Sequence, residues 1–310
     1  MSNDPFSDVL NLLRAKSVVS GTLTAGGAWS IRFPASDLIN FWGIARGECW
    51  LMTESAVAPL RLKAGDFLLR SASEPATLAT DLDAKPVDFQ EVLASGAEGR
   101  LHHGNGDEFL MIGGKVELDA KLGAGLLDSL PPSIHIPHGS THSTILGCLL
   151  AQLVRERTEG SPGVASASAQ LAHLMFIQIL RAHLDSGATL AAGWLRLMGN
   201  QRLTPALRLL HGEPARAWGL DELAHACGMS RASFAVHFKA TAGAAPLAYL
   251  AQWRMRLAER ALRDGDNAIS SLGYSLGYAS ESAFSNAFKR LVGEAPARYR
   301  ANARVSQATV

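Results

Sequence analysis

Three cysteines in 310 residues, Cys49, Cys148 and Cys227, are too few and too far apart for a disulfide framework or a Cys-x-x-Cys metal knuckle. No apolar run approaches 18 residues without a charged or polar break, so no membrane span is expected. The opening residues, Met1-Ser2-Asn3-Asp4-Pro5, carry no basic stretch leading into an apolar one, so no secretory leader is expected either. These absences fit a reduced, cytoplasmic protein. Aromatics are scarce at 7%, yet apolar residues together reach 47%, which excludes wholesale disorder. A chain of this length holds one large domain or two ordinary ones.

The net charge is only +1, and it conceals an asymmetry. From Arg202 to Arg304 there are 14 basic and 8 acidic residues, a net of +6, while the remainder carries −5. A basic C-terminal third on an acidic body points to a polyanion-binding module joined to something else.

Residues 1 to about 141 read as β-rich. Runs such as Ile31-Arg32-Phe33, Glu48–Met52 and Phe67–Leu69 sit between turn signals that include Gly26-Gly27, Ala64-Gly65-Asp66 and Gly113-Gly114. Short strands with Gly turns suggest a sandwich or a small barrel. An amphipathic helix bearing Phe6, Val9, Leu10 and Leu13 precedes them. Helical spacing returns at 143–157 and about 164–185, apolar over a wide arc that suits a core or a dimer contact. From Thr204-Pro205 onward the pattern is entirely helical.

That last stretch contains a repeat. Ser230, Phe234, Phe238, Lys239, Gly243, Ala245 and Pro246 recur fifty residues on as Ser280, Phe284, Phe288, Lys289, Gly293, Ala295 and Pro296. Upstream, Leu223-Ala224 and Gly228 recur as Leu272-Gly273 and Gly277. Each copy reads as a short helix, a Gly turn, a Ser N-cap and a second helix, which is a helix-turn-helix. The motifs are placed at about 220–241 and 268–292. Phe234 and Phe238, like Phe284 and Phe288, pin one face to the core. The opposite face then carries Ala232, Ala235, Val236 and Lys239 in copy one, and Ser282, Ser285, Asn286 and Lys289 in copy two. Such helices fit the DNA major groove. Ser and Asn can read base edges, whereas Ala and Val touch only a thymine methyl. Ser230, Arg231, Ser280, Glu281 and Arg290 complete the candidate DNA-binding set, with Arg231 and Lys239 positioning rather than specifying. The helix starting at Pro246, about 18 residues and roughly 27 Å long, is a rigid spacer between the copies.

Leu223-Ala224, Gly228-Met229-Ser230-Arg231, Trp253-Arg254-Met255, Gly277-Tyr278, Phe288-Lys289-Arg290 and Tyr299-Arg300 together make residues 203–300 resemble the AraC/XylS family of transcription regulators. The resemblance implies two helix-turn-helix units in the major groove. Departures fall at Val236 and His237, where many relatives carry Arg, at Gly273 in place of Ala, and at Gly219 in place of a capping Thr. The first 200 residues more loosely resemble one subgroup's N-terminal half, through stretches such as Gly47-Glu48-Cys49-Trp50 and Leu130-Pro131-Pro132. That implies a cupin-like β-barrel with flanking helices, for sensing and dimerisation. The expected fold is therefore α+β, divided at 1–200 and 201–310.

Trp29, Arg32, Trp42, Trp50 and Arg70 are candidate ligand-binding residues of the barrel, in a pocket that is apolar with a few polar groups. His102, His103, His135, His138 and His142 are spaced in ways that loops need not converge, so no metal is assigned. No cofactor and no catalytic residue are assigned. The reading is a cytoplasmic, homodimeric, sequence-specific regulator that binds double-stranded DNA and answers to a small-molecule effector. RNA polymerase is a candidate partner, and no membrane contact is expected. The alternative is a metal-dependent cupin enzyme fused to a nucleic-acid-binding module.

Overall fold

The computed structural model describes residues 4–71, 74–96, 99–118, 130–187 and 190–308. The chain divides into two compact units. One comprises Arg14–Thr189; the other joins Met1–Leu13 to Leu190–Val310. The amphipathic helix α1, Pro5–Leu12, therefore belongs with the C-terminal unit and not with the strands that follow it. A single cut at residue 200 does not describe this division.

The Arg14–Thr189 unit is built on eleven described strands in two sheets. Their ranges are β1 Lys16–Gly26, β2 Ser30–Phe33, β3 Ile39–Arg46, β4 Glu48–Thr53, β5 Leu60–Lys63, β6 Phe67–Arg70, β7 Ala76–Ala79, β8 Val87–Asp88, β9 Arg100–Gly104, β10 Phe109–Glu117 and β11 Ser133–Ile136. The sheets run β11-β6-β3-β10-β1-β9 and β5-β4-β7-β2-β8. Leu23, Ile31, Ile44, Leu51, Leu78 and Met111 fill the core shared by the two sheets. The expected barrel thus takes the form of a two-sheet sandwich, with no closed ladder among the described residues.

Gly113-Gly114 does not turn the chain. It lies inside β10, paired with Trp42 and Phe41 of β3. A Cβ at Gly114 would fall on the Phe41 ring, so the glycines here admit neighbouring aromatics. Beyond the short helix α2 (Phe89–Ser95), helices α3 (Thr141–Glu159) and α4 (Val164–Asp185) pack together and cover the β1, β3 and β10 side of the first sheet.

In the other unit the repeat is realised as helices α7 (Leu220–Ala226) and α8 (Arg231–Ala242), then α10 (Ile269–Ser275) and α11 (Glu281–Val292). The spacer is α9, Pro246–Asp264, 19 residues and about 28 Å long. Short helices α5 (Trp194–Met198) and α6 (Thr204–Gly212) precede them, and α12 (Pro296–Ala308) closes the chain. The unit has two cores. One gathers Leu223, Phe234, Phe238 and Leu250; the other gathers Leu272, Phe284, Phe288 and Tyr299.

Candidate nucleic-acid interface and ligand cavity

The two second helices have the same burial profile, residue for residue, over 231–240 and 281–290. Four phenylalanines, Phe234, Phe238, Phe284 and Phe288, are fully buried. Their spacing of four puts each pair on one helix face, which leaves the other face outward. Arg231, Ala232, Val236 and Lys239 are exposed on α8, and Glu281, Ser282, Asn286, Lys289 and Arg290 on α11. Ala235 and Ser285 are half-buried at the flanks. Val236 stands 72% exposed, an apolar side chain with nothing of its own unit to cover it.

Ser230 and Ser280 hold the starts of these helices. Ser230 Oγ accepts from Ser233 N at 3.3 Å and Ser280 Oγ accepts from Ala283 N at 3.1 Å. Ser280 Oγ also lies 3.1 Å from Ser282 Oγ. Gly219, in contrast, supplies no side-chain cap to α7. The turns need Gly228 and Gly277 at φ 63° and 84°. A Cβ on Gly273 would sit 3.0 Å from Phe284 Cβ, so the departure from Ala at this position lets α10 approach α11 closely.

The cations are not equivalent. Arg231 pairs with Asp221 at 3.3 Å, both well exposed. Arg254 is anchored inside the fold. Its Nε donates to Pro214 O at 2.6 Å, an Nη donates to Arg216 O at 2.9 Å, and the guanidinium lies over the Tyr278 ring. It fixes the 214–216 turn to the spacer helix. His237 Nε2 lies 3.1 Å from Asn200 Nδ2.

The sandwich contains a cavity of about 540 Å³. Of the five candidate ligand residues, Trp42 and Arg70 line it, with Phe33, Phe89, Leu101 and Met111. The other three do not, and strand alternation explains two of them. Ile31 and Phe33 point inward on β2, so Arg32 points outward, where it pairs with Glu54. Cys49 and Leu51 point inward on β4, so Trp50 turns out toward Arg61. Trp29, in the connection between β1 and β2, is buried but packs on Phe109 of β10, beside a different cleft. Asn40 and Lys115 line the cavity and were not singled out from the sequence.

The five histidines do not converge on one point, and only His135 and His138 share a partner. His135 Nε2 and His138 Nδ1 lie 3.1 and 3.2 Å from opposite oxygens of Asp66, His142 pairs with Asp185, and His102 reaches Gly104 O. Burial pushes the Asp66 carboxyl up, but the backbone N–H groups of His138 and Lys63 and the His135 ring outweigh it and hold the group below its ordinary value. Among the described residues no set of three or more His, Cys, Asp or Glu could hold a metal ion. Burial, helped by the Asp66 and Glu48 charges, pushes the Cys49 thiol up to about 12.

A cupin-like sandwich in one chain with two helix-turn-helix motifs and outward-facing basic second helices defines a DNA-binding transcription regulator. A family model described as Cupin matches residues 4–185, and one described as Helix-turn-helix domain matches 223–302. A putative AraC-like transcription regulator of Streptomyces antibioticus is 38% identical over 96% of this chain and 98% of its own. The HTH-type transcriptional regulator AlkR of Acinetobacter baylyi is 29% identical over 88% of this chain and 91% of its own. A crystal structure of the DNA-binding domain of AdpA with a target DNA is similar over 36% of this chain and all of that one, at 27% identity and a TM-score of 0.34. The chain belongs to the AraC-like family of transcription regulators. It is a regulator and not an enzyme. No described helix is long and apolar enough to cross a membrane.

Proposed function

We propose that α8 and α11 enter adjacent major grooves of one DNA face and read a bipartite operator. The matching burial profile of the two helices, with the same face outward in each, carries this reading. Asn286, Ser282 and Ser285 supply hydrogen-bond readout from α11. Val236, Ala232 and Ala235 offer α8 only apolar contact, and Lys239, Lys289 and Arg290 hold phosphates. Arg231 contributes less, because Asp221 already neutralises it.

The sandwich is the sensing unit, and its cavity takes a small-molecule effector that alters DNA binding by preferring one arrangement of the chain. The protein acts as a homodimer. Ile145 on α3 and Leu174 on α4, 50% and 40% exposed, offer an apolar face for the partner copy.

Selection of random duplex DNA by the full chain tests the reading. An enriched site with two halves about one helical turn, 10–10.5 bp, apart is the expected result. Salt-sensitive binding with no enriched sequence would leave only electrostatic attraction and overturn it.

A further inference from the structure

We infer that the sandwich cavity is an anion site, built for a small hydrophobic monocarboxylate whose carboxylate is held by Arg70. The inference rests on the cavity being the effector site and adds the chemistry of the ligand.

The strand register makes the space. On the inner face of the first sheet, Leu68, Trp42, Gly113 and Gly21 form one cross-strand row on β6, β3, β10 and β1. Gly113 has no side chain, which leaves space beside the Trp42 ring, whereas at Gly21 the Gly99 carbonyl takes the side-chain position. The next row on the same face is Arg70, Asn40 and Lys115. Apolar walls thus meet a polar row at one end of the cavity.

The charge of that row is of one sign. Among the described lining residues Arg70 and Lys115 are charged, and neither Asp nor Glu is present. Lys115 is half-neutralised by Glu117 at 3.0 Å. Arg70 is 4% exposed, an uncommon degree of burial for an arginine. One Nη donates to Glu74 O at 2.8 Å, and the guanidinium lies 5.5 Å from the Trp42 ring centroid. That is one of five N–H donors, and no other hydrogen bond from this guanidinium is formed among the described residues. Arg70 itself lines the cavity. A buried guanidinium with spare parallel donors matches a carboxylate by geometry as well as by charge. The nearby Glu74 carboxylate already offsets part of the Arg70 charge, so a single anion suffices, and Phe33, Trp42, Phe89, Leu101 and Met111 supply the apolar wall for the rest of the ligand.

Titration calorimetry on the full chain tests this with pairs of ligands. Naphthalene-2-carboxylate and decanoate are each compared with their primary amides. Each carboxylate is expected to bind saturably and at least about tenfold more tightly than its amide. Arg70→Gln should erase the preference and leave amide binding in place, and Arg70→Lys should restore part of it. Gly113→Val should weaken every ligand by filling the void; a Cβ at Gly113 meets the Trp42 ring at an ordinary 3.5 Å, and a thermal melt checks that this variant folds. Amides that equal or beat their acids, no saturable carboxylate binding, or unchanged affinity in Gly113→Val would each overturn the inference. Operator binding of the ligand-free chain is measured separately, so a failed anion site and a failed DNA reading give different results.

Discussion

His211 Nδ1 and Asp8 Oδ2 stand 3.6 Å apart with both side chains buried. The imidazole stacks on Trp253 at 3.8 Å between centroids, and its Nε2 lies 2.7 Å from the Tyr249 hydroxyl. Burial keeps the Tyr249 phenol protonated, so it donates to Nε2 and leaves the ring proton on Nδ1, facing Asp8. Phe6 stacks on Trp194 from the same helix. Through these contacts α1 is a structural element of the DNA-binding unit.

Burial, with Arg256 nearby, pushes the His211 imidazole down to about 3. At 3.6 Å the Asp8 Oδ2 lies too far from Nδ1 for a hydrogen bond that would favour the charged ring. Between about 6.5 and about 3 the unfolded chain therefore holds a proton that the folded chain refuses. The stability is full above the unfolded value and falls as the pH drops, by about 1.4 kcal/mol per unit. His211→Phe should be less stable at pH 7.5, because Tyr249 loses its acceptor. By pH 5 the gap should narrow by about 2 kcal/mol. Urea unfolding at both pH values checks this, and a constant gap would mean the ring is charged in the fold.

Two turn glycines should respond differently to the same change. Nothing lies within 4 Å of a Cβ on Gly228, so Gly228→Ala costs only the left-handed backbone, about 1–2 kcal/mol. A Cβ on Gly277 would fall on the Ala215 carbonyl. Gly277→Ala adds that overlap, about 1–3 kcal/mol more. Thermal melts of the two variants should rank in this order.

Asn286→Ala should relax base preference at one operator position, by about 1–3 kcal/mol of discrimination. Lys239→Ala should weaken binding evenly across sequences and lower the salt slope by about one. Arg231→Ala should do less than Lys239→Ala, since Asp221 is its partner. Competition binding on wild-type and single-base variants of a selected site separates the three. Exchanged behaviour of Asn286 and Lys239 would reverse their roles.

Thiol labelling should follow burial. Cys148 is exposed, Cys227 half-buried and Cys49 buried, with its thiol held far into the protonated form. A thiol reagent on the native chain at pH 8 should modify Cys148 first and leave Cys49 intact until the sandwich unfolds. Rapid modification of Cys49 would show that the inner core opens readily.

The repeat was legible because each of its parts is local. The Ser cap, the Gly turn and the Phe pair recur in register, and helix geometry turns spacing into faces without knowledge of the rest of the fold. The sandwich was less legible because its facts are non-local. Gly113-Gly114 reads as a turn until Trp42 and Phe41 are known to lie beside it. Trp50 and Arg32 look like site residues until the inward neighbours Cys49, Leu51, Ile31 and Phe33 fix the alternation. Asn40 and Lys115 join Arg70 only through cross-strand register. Asp8 and His211 are over two hundred residues apart, and no local pattern pairs them.

The placement of α1 has a consequence for synthesis. Helix α1 leaves the ribosome long before the surfaces from Trp194 to Trp253 on which it rests. At 5–20 residues per second that interval is roughly 10–40 s. The strands can pair while α1 still lacks its seat, so the nascent chain carries an uncovered apolar helix ahead of a folded sandwich. The regulator's DNA-binding unit is finished only when its two ends meet.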